Sequence, residues 1–203
     1  VEGNGDVTIE LDGDNELKSG GKNAGLEKNG NESSGKLTIK DDNDTKGSLT
    51  AEGGDGDGGG AGIGGKHESG AGNIEITGGT IKAVGGEGAA GIGGGVYGTG
   101  HDIEISGGKV SATGGDANKN LEPSRTGAAG SGDGAGTEGI GAGAGSGTGG
   151  EIDPNAPSNP SNPNHIIISG DAEVEAKAGA STGGKTAAIG GRMVGEIPND
   201  ALS

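Results

Sequence analysis

Cysteine, tryptophan and phenylalanine are absent from this 203-residue chain, which holds one Tyr, one Met and six Pro. The lack of Cys removes thiol chemistry, and it fits a bacterial surface protein as well as many cytosolic ones. With Tyr97 the sole Phe, Trp or Tyr residue, carbohydrate binding by ring stacking is hard to build. Proline is scarce and glycine does not fall at every third position, which excludes collagen. No apolar run approaches the length of a membrane span. Basic residues are few: 14 Lys and Arg stand against 30 Asp and Glu, for a net charge of −16 spread along the chain. Such a surface repels nucleic acid and anionic membranes and suits cations or basic partners.

Leu, Ile and Val together number 30, against 54 Gly. Composition alone would point to a disordered chain. The spacing of the apolar residues points elsewhere. The stretch "NIEITGGTIKAVGGEGAAGIGGG" (73–95) returns as "DIEISGGKVSATGGD" (102–116), continued after an insertion by "TEGIGAG" (137–143). Related copies run over 36–65 and 165–191, with a degenerate one over 6–28, giving five. Each copy holds three short segments. The first alternates as Val7/Ile9, Leu37/Ile39, Ile74/Ile76, Ile103/Ile105 and Ile166/Ile168. The second pairs an aliphatic with a small residue: Leu17/Ser19, Leu49/Ala51, Ile81/Ala83, Val110/Ala112 and Val174/Ala176. The third carries one aliphatic residue: Leu26, Ile63, Ile92, Ile140 and Ile189.

Period-two alternation bounded by Gly-Gly predicts short strands joined by tight turns. Three strands per copy and five copies predict an all-β, single-stranded, right-handed parallel β-helix, each copy one coil. The coils would span about 6–32, 33–69, 70–100, 101–150 and 151–191, within a single domain over 1–203. Stacked at the strand spacing they would make a rod of roughly 24 Å. Val1–Asp6 would lie across one end, and 192–203 would form a C-terminal cap at the other. Alternation also predicts outward columns of Gly62/Gly64, Gly91/Gly93, Gly139/Gly141 and Ala188/Gly190, a nearly bare backbone face. Because the chain opens at Val1, it reads as a trimmed mature protein or an excised domain.

The coils differ at their corners. Coil four carries an insertion over 116–136, and 151–164 precedes coil five. Such excursions are where specific binding is commonly placed, although tolerant corners also drift freely. Catalysis has little support: His67, His101 and His165 sit in Gly- or Asn-rich connections without partners of a triad. A lyase or hydrolase needs clustered carboxylates on one wall, often with a basic neighbour. Glu75 and Glu104, stacked outside the first wall near Asn73 and Asp102, come nearest to this pattern. An ice-binding wall needs ranks of Thr, whereas this column reads Thr8, Thr38, Glu75, Glu104, Ile167.

Calcium is the metal the sequence suggests. "GGDGDGGG" (53–60) resembles the Gly-Gly-x-Gly-x-Asp calcium repeat, departing from it at Gly58. Asp55 and Asp57 would supply carboxylates there. Asp12, Asp14, Asp41, Asp42 and Asp44 fall in acidic corners of neighbouring coils, where they would converge. Asp is also an ordinary turn former.

At "ITGGTIKAVGGEGAAGIGGG" (76–95) the chain resembles glycine-rich repeats of large secreted or cell-wall-anchored proteins of Gram-positive, often gut-dwelling, bacteria. The resemblance covers coils two to five. It implies an extracellular setting, at the bacterial cell surface or secreted, and a stalk or adhesive role without catalytic residues to carry over. The expected function is a non-enzymatic surface module, a rigid spacer or adhesin-like scaffold. Its expected partner is a glycan or a host or cell-surface protein, with neither nucleic acid nor membrane insertion. The alternatives are a calcium-assisted polysaccharide-binding β-helix and, further off, a polysaccharide lyase or hydrolase.

Overall fold

The computed structural model describes residues 1–30, 34–43, 45–56, 58–100, 102–116, 137–144, 166–180 and 187–190. Coil one holds β1 (Val7–Glu10), β2 (Gly13–Lys18) and β3 (Leu26–Glu27). Coil two follows with β4 (Leu37–Lys40), β5 (Gly47–Glu52) and β6 (Ile63–Gly64). Coil three has β7 (Ile74–Ile76), β8 (Thr80–Val84) and β9 (Ile92–Gly93). Coil four has β10 (Ile103–Ile105), β11 (Lys109–Thr113) and β12 (Ile140–Gly141). Coil five closes the series with β13 (Ile166–Ile168), β14 (Glu173–Lys177) and β15 (Ile189–Gly190). Among the described residues there is no helix.

These strands form three five-stranded sheets, ordered β1-β4-β7-β10-β13, β2-β5-β8-β11-β14 and β3-β6-β9-β12-β15. Every pairing is parallel. The chain is therefore a parallel β-helix, with three walls and five coils. Inward side chains of successive coils stack on one another: Leu37 on Ile74 on Ile103, and Ala51 on Ala83 on Ala112. Their thread is the core, and in coils two to four it is fully closed from solvent. A few aliphatic residues suffice because each one is covered from above and below by its counterpart.

In coil one the second wall departs from the sequence reading. Asn15, not Leu17, stands opposite Leu49, and Leu17 stands opposite Ala51. Asn15 follows Ile9 at the same interval at which Val174 follows Ile168 in coil five. Leu17 is left 38% exposed. The aliphatic residue that coil one buries at this corner is Leu11, whose amide bonds the Lys40 carbonyl at 2.9 Å. Its Cδ1 fills the space that a β-carbon on Gly79 would meet at 2.6 Å.

The bare glycine face is also overturned. Gly62, Gly64, Gly91, Gly93, Gly139 and Gly141 are all buried. The third wall lies directly against the backbone of the second, so a β-carbon on Gly91 would meet the Thr113 nitrogen at 2.6 Å and the Gly139 carbonyl oxygen at 2.7 Å. Gly64, Gly93 and Gly141 adopt φ of 135°, 139° and 144°, a region that only glycine enters freely. The returns after β6 and β9 fold over this wall, joined by a bridge between Ala71 and Gly100. Period-two alternation therefore assigned the outward side correctly but not the backbone that covers it.

Val1 does reach across the first end, where its nitrogen donates to the Glu27 carbonyl at 2.7 Å. The expected cap at 192–203 and the segment 151–164 lie outside the described residues, as does the insertion beyond Asp116. Both points where that insertion joins the coil are firmly built. Asp116 Oδ1 accepts the Ala180 amide at 2.8 Å, and the buried Thr137 hydroxyl bonds the Ala89 carbonyl at 2.7 Å.

Candidate binding groove

Outward positions of the first wall run Thr8, Thr38, Glu75, Glu104, Ile167 in strict register. The column is as alternation predicts. Over its later rungs lies a groove of about 240 Å³, lined by Lys36, Asn73, Glu75, Asp102, Glu104 and Ile167. Asn73 and Asp102 occupy equivalent places just ahead of β7 and β10, with left-handed φ of 56° and 51°. Short polar side chains tolerate that conformation. Their carbonyls accept the Leu37 and Ile74 amides at 2.8 and 3.0 Å, so each aligns the start of the strand in the neighbouring coil.

Glu75 is held from one side. Its Oε2 accepts the Thr38 hydroxyl at 3.0 Å and lies 3.4 Å from Lys36 Nζ. On its other side stands Glu104, and beyond that Ile167, 48% exposed. The groove thus offers carboxylate acceptors, an ammonium already paired with Glu75, and an aliphatic patch at one end. Hydroxyl-rich or cationic ligands suit such a lining. Lys36 was missed by sequence reasoning, although it stands two residues before Thr38 on the same side of the strand.

The described calcium candidates fall at two corners and within β2. Asp12, Asp41 and Asp42 lie at the corner between the first and second walls, Asp14 within β2, and Asp55 at the corner between the second and third. Asp14 accepts the Ser48 hydroxyl at 2.6 Å, Asp42 pairs with Lys40 at 2.9 Å, and Asp55 accepts the Glu87 amide at 2.9 Å. Asp41 Oδ2 accepts the Gly47 amide at 3.1 Å, while its Oδ1 is buried without a hydrogen-bond partner. Among the described residues no three Asp, Glu, His or Cys side chains come together to hold a metal ion. Asp44 and Asp57 lie outside the described residues, as do His101 and His165.

His67 sits in a second layer that the repeat pattern does not announce. Its ring meets Tyr97 edge-on, with centroids 5.6 Å apart and planes at 86°. Tyr97 packs beside the buried Val96 and Ala144. Burial holds the imidazole below its ordinary range, with Lys22 adding to the effect and Glu68 opposing it. Lys28, fully buried beside β3, is likewise held below the usual lysine range by burial.

Fold and groove together define a parallel β-helix with a carboxylate-lined channel on one wall. No protein family, curated protein or solved structure matches this chain.

Proposed function

We propose that this chain is a non-enzymatic module of an extracellular bacterial surface protein, a rigid spacer that presents an adhesin-like binding face. It would belong with the glycine-rich repeat regions it resembles. The observation that carries this reading is the unbroken register of three walls through five coils. A rod whose every rung is tied to the next transmits position without bending. The groove over Glu75 and Glu104 is the face it would present, and a glycan is the ligand proposed for it. Sugar hydroxyls can donate to the carboxylates while an apolar ring face rests on Ile167.

The clustered carboxylates and Lys36 also meet the minimal inventory of a lyase or hydrolase. Against that reading, the Lys36 ammonium is paired with Glu75 and is not placed as a free base. A calcium-assisted polysaccharide binder is the second reading, favoured by the buried, unpartnered Oδ1 of Asp41.

The test is a screen of polysaccharides and host glycans with the purified chain, run with calcium and with chelator. Selective binding that Glu104→Gln removes supports the groove, and loss with chelator adds the metal. Shortened or unsaturated glycan products would replace the reading with an enzyme. No binding by a folded chain would leave the spacer alone.

A further inference from the structure

Donors and acceptors in the groove do not balance. Its lining sets three carboxylates, Glu75, Asp102 and Glu104, against one ammonium, Lys36. Every residue of that lining is among those described. The lining side chains that carry N–H groups, Lys36 and Asn73, are both engaged by the chain itself. Lys36 Nζ lies 3.4 Å from Glu75 Oε2, and Asn73 Nδ2 donates to the Ser34 carbonyl at 3.0 Å. The Thr38 hydroxyl also goes to Glu75, at 3.0 Å.

Glu104 stands differently. It opposes Glu75 directly across the ladder, a like-charge pairing that destabilises unless a positive group joins it. Among the described residues it has neither a hydrogen bond nor an ion pair. A metal ion does not answer it, because no three Asp, Glu, His or Cys side chains among the described residues come together to hold one. On its other side, one rung or about 4.8 Å away, stands Ile167, 48% exposed. The groove therefore lacks one positive donor and one apolar cover, side by side.

We infer that the ligand of this groove is an amino glycan, whose protonated amine bonds Glu104 while the C–H face of the same sugar ring lies on Ile167. This rests on the glycan reading of the groove given above. An amine attached directly to a pyranose ring matches a carboxylate and an aliphatic side chain on adjacent rungs. Its hydrogen bond to the carboxylate is charge-assisted, and so stronger than one from a sugar hydroxyl. Uronates and sulfated glycans bring further acceptors and negative charge to a lining that has both in excess.

Calorimetric titration of the full chain with short oligomers of glucosamine and of N-acetylglucosamine tests this, at a pH that keeps the amine protonated. The two share ring and linkage and differ in the charge. The amino form should bind roughly tenfold tighter or more, the effect of one charge-assisted hydrogen bond. Glu104→Gln should erase that difference, and added salt should shrink it. Lys36→Met releases Glu75 and should widen it. Should Glu104→Gln fail to fold by circular dichroism, Lys36→Met alone reads the same charge balance from the other side. A chain of net charge −16 attracts cations in general, so a lysine oligomer of matched charge is run alongside. Equally tight binding of that peptide would overturn the proposal. So would an amino preference that survives in Glu104→Gln, which would place the ligand elsewhere. Equal binding of both sugars, lost in Glu104→Gln, would overturn the amine and leave the glycan groove standing. Binding of neither by the folded chain would overturn it too, with the wider glycan screen then deciding the groove.

Discussion

Lys40 Nζ stands 2.7 Å from Glu10 Oε2, and the two residues oppose each other directly in the register of the first wall. Lys40 also reaches Asp42 at 2.9 Å, so one ammonium ties two coils and a corner. Its hydrogen bond is the largest cause that lowers the Glu10 carboxyl to about 2, with the Asp42 amide assisting. A depressed carboxylate stabilises the fold above its unfolded value of 4.5 and loses that contribution as pH falls through about 2. Replacement Lys40→Met should move the Glu10 titration back toward 4.5, followed by carboxyl NMR. It should also flatten stability against pH between 4.5 and 2. An unmoved Glu10 titration would show that the pair is not formed in solution.

The third wall gives a sharper prediction. Gly93 has φ 139°, and a β-carbon there would run into the Gly141 backbone. Gly93→Ala should destabilise by roughly 1–3 kcal/mol from backbone strain alone, with the clash in addition. Gly20→Ala, where a β-carbon meets nothing within 4 Å, should be neutral or slightly stabilising. Urea midpoints of the two variants decide it. Equal effects would mean that the third wall is looser than the packing described here.

These glycines mark the limit of what was legible in the sequence. Alternation at Ile74/Ile76 and Ile81/Ala83 gave the walls, the coils and the stacking of Glu75 on Glu104, because side-chain parity follows directly from a period of two. It gave no account of distance between walls. The close approach of Gly91 to Thr113 is a property of three walls together, not of any one segment. Corner lengths were equally silent. Leu17 looked like the anchor of coil one because it is the first aliphatic residue of its segment, yet Asn15 holds that register position. The groove was half legible: Glu75, Glu104, Asn73 and Asp102 were placed together by register, while Lys36 enters only through its pair with Glu75.

Coil one therefore offers a direct contrast. Leu11→Ala removes a buried side chain that also fills the space over Gly79, and should cost about 2–5 kcal/mol. Leu17→Ala removes a partly exposed one and should cost about 1 kcal/mol or less. Chemical denaturation of both variants measures the difference. If Leu17 proved the costlier of the two, the register of β2 would be wrong by two residues.

His67 makes the second layer sensitive to acid. Its imidazole is held below the ordinary 6.5 by burial and by Lys22, against the opposing pull of Glu68. The unfolded chain therefore binds the proton more readily than the folded one. Stability from this group is complete above pH 6.5 and falls as pH drops through the lower, folded value. The ring packs edge-on to Tyr97, so protonation also places a cation within that contact layer. Urea midpoints taken from pH 7.5 to 5 should decline in the native chain and decline less in His67→Gln. That variant should begin from a lower midpoint, because the contact with Tyr97 is lost. Parallel curves for the two proteins would assign the acid sensitivity to other groups that titrate in this range, the remaining histidines or the carboxylates.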